Sequence, residues 1–337
     1  MAEWRVLTPD AQYADDARVE RAVAGEGVHI DVHRVRSFDD IPDDEIGSAQ
    51  ALVVWHEVAV TRDVISRLPH CRIIVRAGVG FDNVDCGAAA EVGIPVCNTP
   101  DYGTSEVADH AIGLLLALRR GIGFHLRRLA ADPVGAFHWS GAPLVGRLRG
   151  TRLGIVGLGR IGTATALRAR ALGMEVLFHD PYVPRGQEIA LGLTRLERLD
   201  ELLSLADAVS LHAPLTEETH HLIDADALRR MPPGAVLVNT ARGPLIDLDA
   251  LYTALREGSI GGAGLDVLPE EPPVPERPLI RALAEGDEAL RDRVILTPHS
   301  AWYSPESQED LRRLSMETAV TYLREGALRN CVNAHLL

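Results

Sequence analysis

A glycine-punctuated turn between two apolar runs limits this chain more sharply than any other feature. The segment Gly154-Ile-Val-Gly157-Leu-Gly159-Arg-Ile-Gly162 reads as a short strand, a tight turn and the start of a helix. A second apolar run, Val176-Leu-Phe178, ends in His179-Asp180. Strand, G-x-G-x-x-G, helix, strand and acid in that order is the layout of a dinucleotide-binding βαβ unit. Gly157 permits the tight turn, Gly159 lets backbone approach a pyrophosphate, and Gly162 lets the helix pack close to its strand. The helix N-terminus offers unpaired N–H groups and the positive end of a dipole to the phosphates. Asp180, eighteen residues beyond Gly162, is placed to accept from a ribose 2′-hydroxyl and to repel a 2′-phosphate. The expected cofactor is therefore NAD(H) rather than its phosphorylated form.

The rest of the chain repeats the alternation. In the first third, residues 4–7, 28–32, 51–54, 72–75 and 93–96 read as strands, with helices expected over 14–24 and 61–68. After the glycine motif, strands are expected at 208–211, 235–238, 262–265 and 294–296, separated by helices at 199–204, 225–230 and 248–256. Strands alternating with helices imply parallel sheets covered on both faces. A long apolar helix is expected over 105–129, capped by Thr104 or Ser105 and buried either between domains or at a subunit interface. Residues 132–150 and 272–276 read as loops, and an amphipathic helix over 304–326 returns to the first domain.

Composition removes several kinds of chemistry. A length of 337 residues predicts two domains. The net charge of −14 argues against a nucleic-acid surface or an anionic membrane surface, since both recruit clustered positive charge. All 34 basic residues are arginine, which excludes a Schiff-base lysine, a phosphate-loop lysine and a lysine general base. Cys71, Cys86, Cys97 and Cys331 form no C-x-x-C pair and read as reduced thiols of a cytoplasmic protein, with no metal site. The opening residues Met-Ala-Glu-Trp-Arg lack the charged-then-apolar pattern of a secretory leader, and no apolar run approaches the length of a membrane span.

In an open parallel sheet, ligands bind beyond the carboxyl ends of the strands. Polar residues follow one strand after another here: His212, then Asn239-Thr-Ala-Arg242, then Asp266 with Glu271 a short loop beyond, then Thr297-Pro-His299. Any one alone reads as a turn residue or a cap. Their coincidence on one sheet edge points to chemistry. Reducing a 2-oxo acid takes a hydride at carbon and a proton at oxygen, and histidine suits the proton donor. His299 is the expected donor, with Glu271 as the carboxylate that holds its ring and favours the imidazolium. Arg242 offers a planar, permanently charged fork to the substrate carboxylate and carbonyl, a structural salt bridge being the alternative. Asp266 is placed to accept from the nicotinamide carboxamide. In the first domain, Arg76-Ala-Gly78-Val79-Gly80 follows a strand directly and reads as an anion nest or a plain tight turn. Thr104 reaches a phosphate or caps its helix.

These residues, with Arg76 to Asp85, Leu211 to His220, Val238 to Gly243, Gly264 to Val267 and Thr297 to His299, resemble the D-isomer-specific 2-hydroxyacid dehydrogenase family. The resemblance implies an NAD-dependent oxidoreductase that interconverts a 2-oxo acid and a D-2-hydroxy acid. The family's Arg–Glu–His set matches Arg242, Glu271 and His299 one by one. It also implies cofactor contacts from Arg160 and Ile161 in the glycine motif, from Ala213, Pro214 and Thr219 after His212, and from Thr240 and Ala241 beside Arg242. Substrate contacts are implied at Gly78 and Val79.

The implied fold is α/β: two doubly wound parallel-sheet domains with a cleft between. A Rossmann NAD-binding domain would span 104–302, and a flavodoxin-like substrate domain would join 1–103 to 303–337. A homodimer through the nucleotide domain is implied as well. Within the family, His299-Ser-Ala-Trp302 and the ending Asn330-Cys-Val-Asn333 resemble the C-terminal binding protein branch, which would place Trp302 and His56 on the substrate pocket. An NAD(H)-sensing corepressor scaffold is the implied alternative, and a dehydrogenase of phosphite, a phosphonate or a biosynthetic oxo acid is another. Glu271 argues against the formate dehydrogenases, and the lack of lysine argues against phosphoglycerate dehydrogenase.

Overall fold

The computed structural model describes residues 4–337; the first three, which open the segment read for a leader, lie outside it. The chain divides into two compact units, Met1–Gly103 with Tyr303–Leu337, and Thr104–Trp302.

In the first unit, β1 (Trp4–Thr8), β2 (Val28–Val32), β3 (Ala51–Val54), β4 (Ile73–Arg76) and β5 (Val96–Asn98) form one parallel sheet ordered β2-β1-β3-β4-β5. That is the flavodoxin order. β3 and β4 are buried at every residue, as strands covered on both faces must be. The helices are α1 (Arg18–Ala24), α2 (Asp43–Ser48), α3 (Arg62–Ser66), α4 (Cys86–Glu91) and, from the far end of the chain, Pro305–Glu325. β5 begins at Val96 rather than Gly93, because Pro95 has no N–H to pair and contributes only its carbonyl, which accepts from Ile74.

The C-terminal helix starts with a capping box in which Ser304 and Ser307 bond reciprocally, and it closes on Gly326 at φ +70°. It packs on α1, β3 and β4. Its anchor is Arg312, whose guanidinium is buried. Arg312 donates to both Glu20 oxygens and both Asp15 oxygens at 2.7–2.8 Å and lies 3.7 Å from the centre of the Tyr13 ring.

In the second unit, β6 (Arg152–Val156), β7 (Glu175–His179), β8 (Thr194–Arg195), β9 (Ala208–Leu211), β10 (Val236–Asn239), β11 (Gly262–Leu265) and β12 (Val294–Leu296) form a parallel sheet ordered β12-β11-β10-β9-β6-β7-β8. Strand order reverses beside β6, giving the Rossmann arrangement with one added edge strand. The helices are α5 (Thr104–Arg119), α6 (Ile122–Ala131), α7 (Arg160–Ala171), α8 (Gln187–Leu191), α9 (Leu199–Leu205), α10 (Ala225–Arg230), α11 (Leu248–Glu257) and α12 (Pro278–Ala284).

The helix expected over 105–129 is two helices. Gly121 sits at φ +64° and breaks the run. α5 packs against α7, β10 and β11 of its own unit. α6 is the opposite case: none of its residues is buried.

Candidate active site

All the strands of the second unit run in one direction, so their carboxyl ends share one edge. Gly157, Asp180, His212, Thr240 to Arg242, Asp266 and Thr297 to His299 each follow a strand there.

The three motif glycines do different work. Gly157 adopts φ +88°, and a Cβ on it would stand 2.7 Å from Ala213 N. A Cβ on Gly162 would strike the Gly157 carbonyl, so this glycine sets how closely α7 approaches β6. A Cβ on Gly159 would meet no protein atom within 4 Å. The space before Gly159, at the start of the twelve-residue α7, is therefore left open by the protein itself. Arg160 and Ile161 form the first turn of that helix, Arg160 exposed and Ile161 half-buried.

Asp180 is half-buried at the end of β7 and accepts from Leu158 N at 2.8 Å and Tyr182 N at 2.9 Å. It thus braces the glycine turn. Thr104 is the first helical residue of α5, so it does not cap; its buried hydroxyl has no hydrogen-bond partner among the described residues, nor has that of Thr240. Two orphaned hydroxyls, an open helix start and a strand-end acid fit a dinucleotide. Ala213 is buried, while Pro214 is exposed and its carbonyl accepts from Thr219 Oγ1 at 2.7 Å, so Thr219 closes its own turn.

His212 shares a hydrogen bond of 2.9 Å with Ser210 Oγ. Burial pulls its imidazole down to about 3. It is therefore a neutral group at physiological pH and not a proton donor. Its imidazole NMR signals are expected to hold still from pH 8 to pH 4; a His212 signal that moves across that range would refute this.

Glu271 and His299 come together. His299 Nδ1 lies 2.6 Å from Glu271 Oε2, and both side chains are about a third exposed, at 28% and 35%. Burial pushes the Glu271 carboxyl up, but the hydrogen bond and charge of His299, the Leu268 N–H and the charge of Arg242 outweigh it and hold Glu271 below its ordinary value. Arg242 is set at the end of β10 by Asn239, which is fully buried, donates to the Arg242 carbonyl at 2.8 Å and accepts from Ala241 N at 3.0 Å.

His299 occupies the left-handed region at φ +50°, which is unfavourable by about 1–2 kcal/mol for a non-glycine residue. Asp266 holds it there. Its carbonyl accepts from His299 N at 2.7 Å, and its carboxylate accepts from Thr297 Oγ1, Ser300 N and Ala301 N at 2.5–3.0 Å. The Asp266 carboxylate thus shapes the His299 loop. His110 of α5, which the sequence reading missed, joins this network through Thr297 Oγ1 at 2.9 Å. No local pattern marks it, because its partner lies 187 residues away.

In the first unit, Gly78 adopts φ +142°, and a Cβ there would collide with the Arg76 guanidinium. The Gly78 carbonyl accepts from Thr99 N at 2.9 Å and the Val79 carbonyl from Asn98 Nδ2 at 2.7 Å. His56 is exposed. Its neighbour Trp55 is core instead, its ring centre 6.1 Å from that of Tyr13. Trp302 is half-buried at the end of the second unit.

Residues 112–301 match the model of the D-isomer specific 2-hydroxyacid dehydrogenase NAD binding domain. The chain belongs to that family. NAD(H) is its cofactor, and it is an oxidoreductase of the 2-hydroxyacid dehydrogenase class. It is 37% identical over 295 residues to a glyoxylate reductase of Korarchaeum cryptofilum, covering 87% of this chain and 86% of the relative. It is 36% identical over 329 residues to a D-3-phosphoglycerate dehydrogenase of Methanocaldococcus jannaschii, which covers 98% of this chain but only 59% of that longer relative. The structure of a D-lactate dehydrogenase from Aquifex aeolicus, solved with NAD and lactic acid, superposes with a TM-score of 0.81 at 31% identity, covering 95% of each chain.

Proposed function

We propose that this chain reduces a small 2-oxo acid to the D-2-hydroxy acid, and runs the reverse reaction, with Arg242, Glu271 and His299 as the acting residues. The observation that carries the reading is the 2.6 Å bond between His299 and Glu271 on the sheet edge that also bears the glycine turn. When bound, NADH supplies the hydride. His299, its Nδ1 tied to Glu271, passes a proton through Nε2 to the substrate oxygen. Arg242 holds the carboxylate and polarises the carbonyl. Substrate contacts are assigned to the Gly78 and Val79 backbone, His56 and Trp302. Thr104, Arg160, Ile161, Asp180, Thr240 and Asp266 with their neighbours are assigned to the cofactor. Loss of NADH absorbance with a panel of 2-oxo acids tests the reading. If no acid is turned over while NADH drives self-assembly, the scaffold alternative replaces it.

Asp180 favours NAD(H) in this reading. Asp180→Ala is expected to lower the NADH-over-NADPH preference about tenfold or more, since a charge-assisted bond and a repulsion are lost together. Unchanged relative affinities would remove Asp180 from the ribose.

The exposed side chains of Ile122, Leu126, Val134, Phe137 and Trp139 give α6 and its following loop an apolar surface. We assign it to a second copy of the chain, making a homodimer. Light scattering is expected to give a dimer that Leu126→Glu with Trp139→Glu reduces to monomer; a monomeric parent protein would refute this. Among the described residues no helix is long and apolar enough to cross a membrane. The four unbridged cysteines support a cytoplasmic protein.

A further inference from the structure

Cys97 and Cys331 face each other across a short antiparallel pairing in the first unit. The segment Asn330–Asn333 runs back along β5: Val332 N donates to Val96 O at 2.8 Å, and Asn98 N donates to Asn330 O at 3.1 Å, bracketing the Cys97–Cys331 pair. Those flanking bonds define a non-hydrogen-bonded antiparallel pair, in which Cα atoms stand about 4.5 Å apart and both side chains leave the same face. A disulfide spans Cα separations of about 4.4–6.8 Å. The register is locked by Asn333, which is fully buried; it accepts from Val96 N at 2.8 Å and donates to Ile94 O at 3.1 Å.

The two sulfurs are unbridged, and Cys331 Sγ donates to Asn333 Oδ1 at 3.3 Å. They differ in access. Cys97 is fully buried, and burial pushes its thiol up to about 12, whereas Cys331 is half-buried. Cys331 is the sulfur an oxidant meets first.

We propose that Cys97 and Cys331 form a reversible disulfide when a peroxide reaches the protein. Hydrogen peroxide oxidises the Cys331 thiol to a sulfenic acid and releases one water. The Cys97 sulfur then attacks the Cys331 sulfur: the S–S bond forms, the S–O bond breaks, and hydroxide leaves with the Cys97 proton as a second water. Two thiols and one peroxide give one disulfide and two waters, with two electrons passing from sulfur to oxygen. A thiol reductant reverses it. The closed bond ties the end of the chain to β5, whose Asn98, with the adjoining Thr99, grips the Gly78–Val79 turn.

The test is peptide mapping of the full-length protein after hydrogen peroxide, with dithiothreitol as the reversal. Trypsin alone leaves Cys86 and Cys97 on one peptide, so a second protease that cuts after Glu91 is required. The expected product is a Cys97–Cys331 link that dithiothreitol removes. Oxidised protein should melt about 5 °C above reduced protein, and Cys331→Ser should show neither link nor shift. A Cys86–Cys331 link, over-oxidised Cys331 beside an intact Cys97 thiol, or four unmodified thiols would each overturn the proposal.

Discussion

His299→Ala should lower kcat for reduction of a 2-oxo acid by about 10²–10⁴-fold and leave NADH affinity nearly unchanged. The reason lies in what the side chain touches. His299 is tied to Glu271 at 2.6 Å on a loop held by Asp266, whereas the glycine turn is braced by Asp180, so in the proposed reading its removal takes away the proton donor and leaves the phosphate cradle in place. Stopped-flow measurement of hydride transfer, with fluorescence titration of NADH, separates the two effects. Glu271→Gln should fall in between, because a glutamine amide keeps a hydrogen bond to the ring but not the charge that favours the imidazolium. A His299→Ala protein that turns over at the parental rate would mean that another group supplies the proton. Loss of NADH binding along with turnover would mean that the loop had collapsed.

Arg312→Ala should destabilise the protein by about 3–5 kcal/mol, because it strips the partner from Glu20, a carboxylate only 3% exposed. The same change deletes the cation over the Tyr13 ring and the two bonds to Asp15. The pH dependence has a definite sign. The Arg312 hydrogen bond holds Asp15 down to about 2, below its unfolded value near 3.9, so this contribution is complete above about pH 4 and is lost as pH falls toward 2. Urea titrations at pH 7 and pH 3 should show the parent losing part of its advantage over the variant at the lower pH. Equal stability of the two proteins at pH 7 would show that the C-terminal helix is held by apolar packing alone.

Some of this was legible from residue order, and some was not. The glycine motif, the strand-end polar residues and the two parallel sheets follow from short-range pattern: a turn that only glycine permits, and strands buried on both faces. Asp266 was visible as a strand-end acid, but its engagement with Thr297, Ser300 and Ala301 was not, since those bonds join strands distant in sequence. His110 was invisible for the same reason. The break at Gly121 was missed because an isolated glycine inside a helical pattern costs only about 1 kcal/mol and is often tolerated. The two-residue β8 was too short to carry a period.

The brace from Asp180 to the Leu158 amide has an engineering consequence. In the proposed reading the same acid selects the nucleotide and buttresses the loop beneath it, so it cannot be exchanged for selectivity alone. A redesign toward the phosphorylated coenzyme that merely deletes the carboxylate should lose grip on both coenzymes before it gains either. The productive replacement is a short hydroxyl side chain that keeps an acceptor for the amide, paired with a new cation nearby.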